Sequence, residues 1–348
     1  MKNFTPRQRV MSVLRKEQPD KTPFTCYECM LPSAPVLEEL RKKGLCTVYR
    51  TSSYHITTPD VKYSYENFNK NGISYTRTHI ETPVGCLSSL HLNQSFTSWE
   101  QEHLFKTVED YKTLLFIIQN ARITSNYENA LKLLKDLDED YLIRDCLPLE
   151  PLQDIISSYM GTETFCYEWM DNRDEINKLY EALKQRNRKI YPIVADGPLE
   201  TSNYGGNVVP QVIGKQTFID YYIPNYNEAA EALHRKGKLI GTHLDADNTI
   251  IMEDIPKTEL DYIEAYDPGS SPSVAVALKS FSDKVLWINW PSACHLSSKD
   301  EILKKTIHMI EEARPGNRFI IGITEDMPPQ LRDDIMTYIM NAINENVF

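Results

Sequence analysis

The chain is short of positive charge. Its 348 residues carry 38 Lys and Arg against 49 Asp and Glu, a formal net charge of -11 with a pI near 5.3. Nucleic acids and anionic membrane surfaces reward the opposite balance, so neither is expected as a partner. Long apolar runs are missing as well. None approaches the roughly 20 residues that a membrane span needs, and the opening residues 1–9 have no apolar core of a secretory signal. A cytoplasmic protein is expected. Paired cysteines are also absent. Seven stand at positions 26, 29, 46, 86, 146, 166 and 294, an odd number that suits reduced thiols rather than a disulfide framework. Cys26-Tyr27-Glu28-Cys29 has the Cys-x-x-Cys spacing, but no second pair lies at zinc-ribbon distance. Two half-buried thiols at a strand end account for it. No Gly-x-Gly-x-x-Gly or phosphate loop follows any apolar run, and no low-complexity or solenoid repeat occurs.

What is present is ordinary globular material, 41% apolar and 25% charged, enough for two average domains or one large barrel. Thr5-Pro6 opens a helix with Thr5 as N-cap and Pro6 in its first turn. Phe24 to Tyr27 reads as a strand running into Glu28, and Ser33 begins a helix that stops at Gly44. Tyr, Thr, Ser and Asn dominate residues 50–100, where runs 73–79 and 84–90 flank Glu81-Thr82-Pro83 as a β-hairpin. From residue 141 the rhythm is regular. Apolar runs at 141–143, 190–195, 239–242, 262–265, 285–288 and 319–323 alternate with amphipathic helical stretches. That alternation predicts a parallel sheet. With the strand at Phe24 and one more in the first half, the count fits a single (β/α)8 TIM-type barrel of the α/β class. Residues 45–105 are expected as an inserted or N-terminal hairpin elaboration of α+β character.

In such a barrel the functional groups gather at the C-terminal ends of the strands. Those ends read Glu28, Asp145, Asp196, His243 with Asp245, Asp267, Asn289 with Trp290, and Thr324 with Glu325-Asp326. Asp145 and Asp267 are most simply turn or cap residues. His243-Leu244-Asp245 follows a short apolar run, and a strand's two-residue period allows His243 and Asp245 to grip one ion or substrate. The same spacing suits a surface loop of solvated acids. Cys294-His295 forms a further soft-ligand pair, several residues past its strand end.

Several segments together resemble one family. The opening Thr5-Pro6-Arg7-Gln8-Arg9 with Pro19-Asp20-Lys21-Thr22-Pro23 resembles the start of the uroporphyrinogen decarboxylase superfamily. Thr82-Pro83-Val84-Gly85 is similar to a turn of its methyltransferase-type members. Gly205-Gly206 with Phe218, Pro224, His234 and Gly237 resembles the lead into the family's histidine-bearing strand, and Gly316, Phe319 and Gly322 its last strand. The resemblance runs over nearly the whole chain and implies a (β/α)8 barrel.

The decarboxylases of that superfamily carry arginines near the first strand, whereas residues 23–31 here hold Glu28 and no arginine. Carboxylates are gripped by guanidinium groups, so porphyrinogen decarboxylation is disfavoured. The corrinoid-dependent methyltransferases carry zinc on a His-x-Cys pair and a later Cys. The resemblance puts His243 and Asp245 at the first pair and Glu325 at the third position, carboxylates replacing both thiolates. His, Asp and Glu still form a sensible zinc set, and carboxylates leave a harder, more Lewis-acidic ion suited to polarising an ether oxygen. The function implied is transfer of a methyl group from a small-molecule methyl donor to a corrinoid. No cobalamin-binding Asp-x-His-x-x-Gly occurs, so the corrinoid is expected on a partner protein. Asp196 and Glu28 are candidate catalytic acid-base groups, and Tyr27, Tyr204, Asn207 and Trp290 candidate substrate-binding residues. Core or rim packing explains these aromatic residues equally well. The resemblance points to a homodimer. Two other readings stay open, a metal-free lyase acting on a small acid and a non-catalytic ligand-binding protein.

Overall fold

The structure, a computed structural model, describes residues 4–94 and 98–346. The chain divides into two compact units, one of residues 1–53, 127–147 and 195–348, the other of residues 54–126 and 148–194. The first unit is built on eight strands: β1 (Phe24–Tyr27), β2 (Leu45–Thr51), β3 (Tyr141–Leu149), β4 (Thr201–Gly205), β5 (Leu239–His243), β6 (Tyr262–Tyr266), β7 (Val285–Asn289) and β8 (Phe319–Ile323). They close in chain order, with β8 returning to β1 in parallel through Phe24 opposite Ile321. This is the expected (β/α)8 barrel.

Every residue of β1, β6, β7 and β8 is buried. Strands covered on both faces read as unbroken apolar runs rather than alternating ones, which is why Val285–Asn289 and Phe319–Ile323 are legible. The strand expected at 190–195 is instead a helix, Tyr191–Asp196. The fourth barrel strand, Thr201–Gly205, begins Thr-Ser-Asn and is buried at four of five positions. Its polarity is matched only in part, since Thr201 Oγ1, Ser202 Oγ and Asn203 Oδ1 are buried without a hydrogen bond to the described residues. The Tyr262 hydroxyl donates to the Ser202 carbonyl at 2.6 Å, and Asn203 Nδ2 donates to Glu264 at 3.0 Å.

The N-terminal helix, Pro6–Leu14, has the expected Thr5 cap, completed by Gln8 as a capping box. Ser33 precedes the helix Ala34–Lys42 without capping it. Its hydroxyl and N–H go instead to Asp333, at 2.6 and 2.7 Å. Between β5 and β6 the connection has only short 3-10 turns, Thr249–Ile251 and Ile255–Lys257.

The elaboration expected at 45–105 is displaced, because residues 45–51 are β2 of the barrel. The second unit holds a four-stranded antiparallel sheet of Lys62–Lys70, Ile73–Thr82, Gly85–Asn93 and Ser98–Glu102. The hairpin read at Glu81-Thr82-Pro83 is present. Thr82 Oγ1 accepts the N–H groups of Val84 and Gly85 at 3.2 and 3.1 Å. Helices Asp110–Gln119, Thr162–Asp171 and Arg173–Arg188 also belong to this unit. Among the described residues no helix is long and apolar enough to cross a membrane.

Candidate metal centre at the barrel mouth

His243 ends β5, and the turn after it brings back Asp245. Glu325 arrives two residues past β8. Its loop is held by Asn289 at the end of β7, whose buried Oδ1 accepts the N–H of Thr324 at 3.1 Å and of Glu325 at 3.3 Å. His243 Nε2 stands 3.0 Å from Glu325 Oε1 and 3.8 Å from Asp245 Oδ2. One ligand atom from each residue lies within 4.8 Å of the others. A tetrahedral zinc with bonds of about 2.1 Å sets ligand atoms about 3.4 Å apart, so the set fits. Glu325 Oε1 is buried, with His243 Nε2 3.0 Å away. A buried carboxylate oxygen is expensive unless a positive charge meets it, and the His243 imidazolium or a metal ion in its place meets that need.

The ring of His243 is fixed from below. Nδ1 lies 3.3 Å from the Tyr27 hydroxyl and 3.5 Å from Glu264 Oε2. With Nδ1 facing Glu264, Nε2 faces Asp245 and Glu325, toward which it points an N–H as an imidazolium and a lone pair once that proton is lost to a bound cation. Burial disfavours the imidazolium, but Tyr27, Asp245, Glu264 and Glu325 around the ring carry its pKa well above the usual histidine value. Glu264, wholly buried on β6, is ion-paired to Arg144 of β3. Burial raises its pKa, yet the Arg144 charge and the His243 hydrogen bond outweigh that and bring it to about 2. The strand bulges here. The β6–β7 register shifts between Ile263 and Tyr266, and Ala265 takes φ of 60°, a left-handed conformation costing about 1–2 kcal/mol for a residue with a Cβ. Close approach also requires a glycine. A Cβ on Gly206 would fall 2.3 Å from the His243 carbonyl oxygen, so the loop after β4 can pass His243 only without one.

Of the candidate residues, His243, Asp245, Glu325 and Tyr27 come together, and Glu28 stands beside Tyr27 in an ion pair with Arg50 at 2.9 Å. Asp196 does not join them. It closes the helix before β4 and pairs with Lys236, just ahead of β5, at 2.6 Å, so it lies at the strands' starting ends. Trp290 is fully buried, its Nε1 donating to Thr306 on the helix Lys299–Glu312 at 3.0 Å. It is a core residue. Tyr204 is likewise wholly buried and packs edge-on against Tyr226, while Asn207 is exposed with φ of 62°. His295 stacks on Trp290 and stays outside the cluster. Cys26 is buried, its thiol pushed up to about 12 by burial, whereas Cys29 is exposed. Asp267 accepts the N–H of Gly269 at 2.6 Å as a turn residue.

Arg144, Glu264, Asn203 and Arg50 were not singled out in the sequence. The signal for the first two is a full charge set inside an apolar run, Leu142-Ile143-Arg144 and Tyr262-Ile263-Glu264-Ala265-Tyr266. A charge is buried on such a strand only when another strand supplies its partner.

A (β/α)8 barrel with a His-Asp-Glu cluster at the C-terminal ends of its strands is the class that fold and site define. No family model matches the sequence, and comparison with curated proteins finds no match. Among solved structures, a methyltransferase from Methanosarcina mazei superposes with a TM-score of 0.60 at 12% identity, over 99% of each chain. A glycoside hydrolase family 5 enzyme from Prevotella bryantii gives 0.38 at 8% identity, over 64% of this chain and 78% of its own. A pneumococcal exo-beta-D-N-acetylglucosaminidase module gives 0.38 at 10% identity, over 95% and 86%. The first of these shares the fold along its whole length.

Proposed function

We propose that the protein is a methyltransferase of the corrinoid-dependent kind, with zinc held by His243, Asp245 and Glu325. The observation that carries this reading is the convergence of three ligand atoms on one point at the barrel mouth, one of them a buried carboxylate oxygen. The full-length likeness to a barrel methyltransferase supports it. When bound, zinc supplies a Lewis acid that draws electron density from the heteroatom carrying the methyl group. The chain's own residues do the rest. His243, Asp245 and Glu325 bind, and Glu264 orients His243 through Nδ1. Arg144 and Asn203 hold Glu264, and Asn289 holds the Glu325 loop. A reduced corrinoid on a partner protein would supply the nucleophile that takes the methyl group, the departing heteroatom keeping the bonding pair.

The test is metal content per chain in chelator-free protein. Close to one zinc is expected, lost in both His243→Ala and Glu325→Ala. Protein that takes up none when zinc is offered sinks the reading. A metal-free lyase acting on a small acid is then favoured by one observation, the arginines at positions 50 and 144 that sit in register on neighbouring strands.

A further inference from the structure

We propose that the mouth beside His243 recognises its small-molecule ligand through a carboxylate, and that Arg50 is the residue that receives it. The proposal rests on the reading of this mouth as the active site and names the class of donor it takes. Arg50 of β2 pairs in register with Arg144 of β3. Two like charges side by side on adjacent strands repel, so each needs a counter-charge. Arg144 has a permanent one, being 1% exposed against a Glu264 that is wholly buried. Arg50 is different. Its side chain is 34% exposed, and its partner Glu28 is 28% exposed.

The Arg50 guanidinium sits over the Tyr27 ring, Cζ 4.0 Å from the centroid, and Arg144 lies 5.6 Å from the same centroid. The other end of that ring, the Tyr27 hydroxyl, is 3.3 Å from His243 Nδ1. One aromatic side chain thus spans from the candidate metal ligand to a fixed, accessible guanidinium. Nε and Nη2 of Arg50 donate to Glu28, at 3.1 and 2.9 Å, and Nη2 also lies 3.2 Å from Cys29 Sγ. Nη1 has no hydrogen bond to the described residues in this arrangement. A planar guanidinium stacked on an aromatic ring with an edge left over is the geometry that grips a carboxylate. Glu28 holds Arg50 in place and competes with the ligand's own carboxylate for it. The donor implied is a methylated small acid, one end at His243 and the carboxylate at Arg50.

Calorimetric titration of the full chain with methoxyacetate and methoxybenzoate, each beside its uncharged amide, tests this. The titrations are run with zinc and again after chelation. The acids are expected to bind at least about tenfold more tightly than their amides. That preference should vanish in Arg50→Gln, weaken in Arg50→Lys, and grow in Glu28→Gln. Unfolding midpoints of the variants confirm that they are folded. Equal binding of acids and amides, equal binding by wild type and Arg50→Gln, or no binding of any acid overturns the proposal. Carboxylate binding is read without a corrinoid or turnover. A chain that binds acids through Arg50 but takes up no zinc would leave this inference standing and the metal reading lost.

Discussion

Glu264 and Arg144 put a full ion pair at the centre of an apolar barrel, and each is safe only while the other is present. Taking charges out of water costs several kcal/mol per ion, which their attraction roughly repays. Removing one partner leaves a bare buried charge. Glu264→Leu and Arg144→Met should each destabilise the chain by about 3–5 kcal/mol in urea unfolding, while the double variant recovers most of that loss. Additive losses would show that the pair is not coupled. Residues at this scale were unevenly legible. His243 and Asp245 are neighbours in the chain and end an apolar run, so local spacing exposes them. Glu264 and Arg144 are 120 positions apart, and only closure of the barrel makes them partners.

Among the elements, β4 has a polar sequence, and the apolar run ahead of it forms a helix. Ile190 to Ala195 is apolar and short, as a buried strand is, yet its residues cover a helix face. The polar Thr201–Gly205 is buried all the same, its backbone paired with β5 and the Asn203 amide donating to Glu264. The loop after it is as constrained as the strand. Gly206→Ala drives a Cβ against the backbone of His243, so it should lower both the unfolding midpoint and zinc retention during dialysis. Unchanged zinc retention would mean that the loop can shift freely. The N-terminal helix is tied down by Arg9, whose Nε and Nη2 donate to Asp20 at 2.6 and 2.8 Å. Burial pushes the Asp20 carboxyl upward, but the Arg9 hydrogen bond and charge outweigh it and hold the pKa below its ordinary 3.8. A depressed acid stabilises the fold above its unfolded pKa, and that contribution is lost as pH falls through the folded value. Asp20→Asn should therefore cost about 1 kcal/mol at neutral pH, allowing for partial exposure, and progressively less below about pH 4. A deficit independent of pH would assign the role to shape rather than charge.

At the scale of the whole molecule the thiols report the packing. Cys26 and Cys46 are wholly buried on β1 and β2 with thiols that burial pushes upward, while Cys29, Cys86 and Cys166 are exposed. Alkylation near neutral pH should label those three first, and Cys26 and Cys46 only after unfolding, as read by peptide mass. Early labelling of Cys26 would contradict the closed barrel. The sequence by itself determined the barrel, because most of its strands are buried on both faces and read as apolar runs, and the helices between parallel strands must be amphipathic. It also determined which local groups stand at the ends of those strands, His243, Asp245 and Glu325 among them. Only the tertiary structure decided which groups share a site. It moved Asp196 to the opposite end of the strands, sank Trp290 into the core, and set Arg50 beside Arg144. The reason is physical. The period of a strand says which way a side chain faces along its own element, whereas the partner it meets across the barrel depends on how eight strands close.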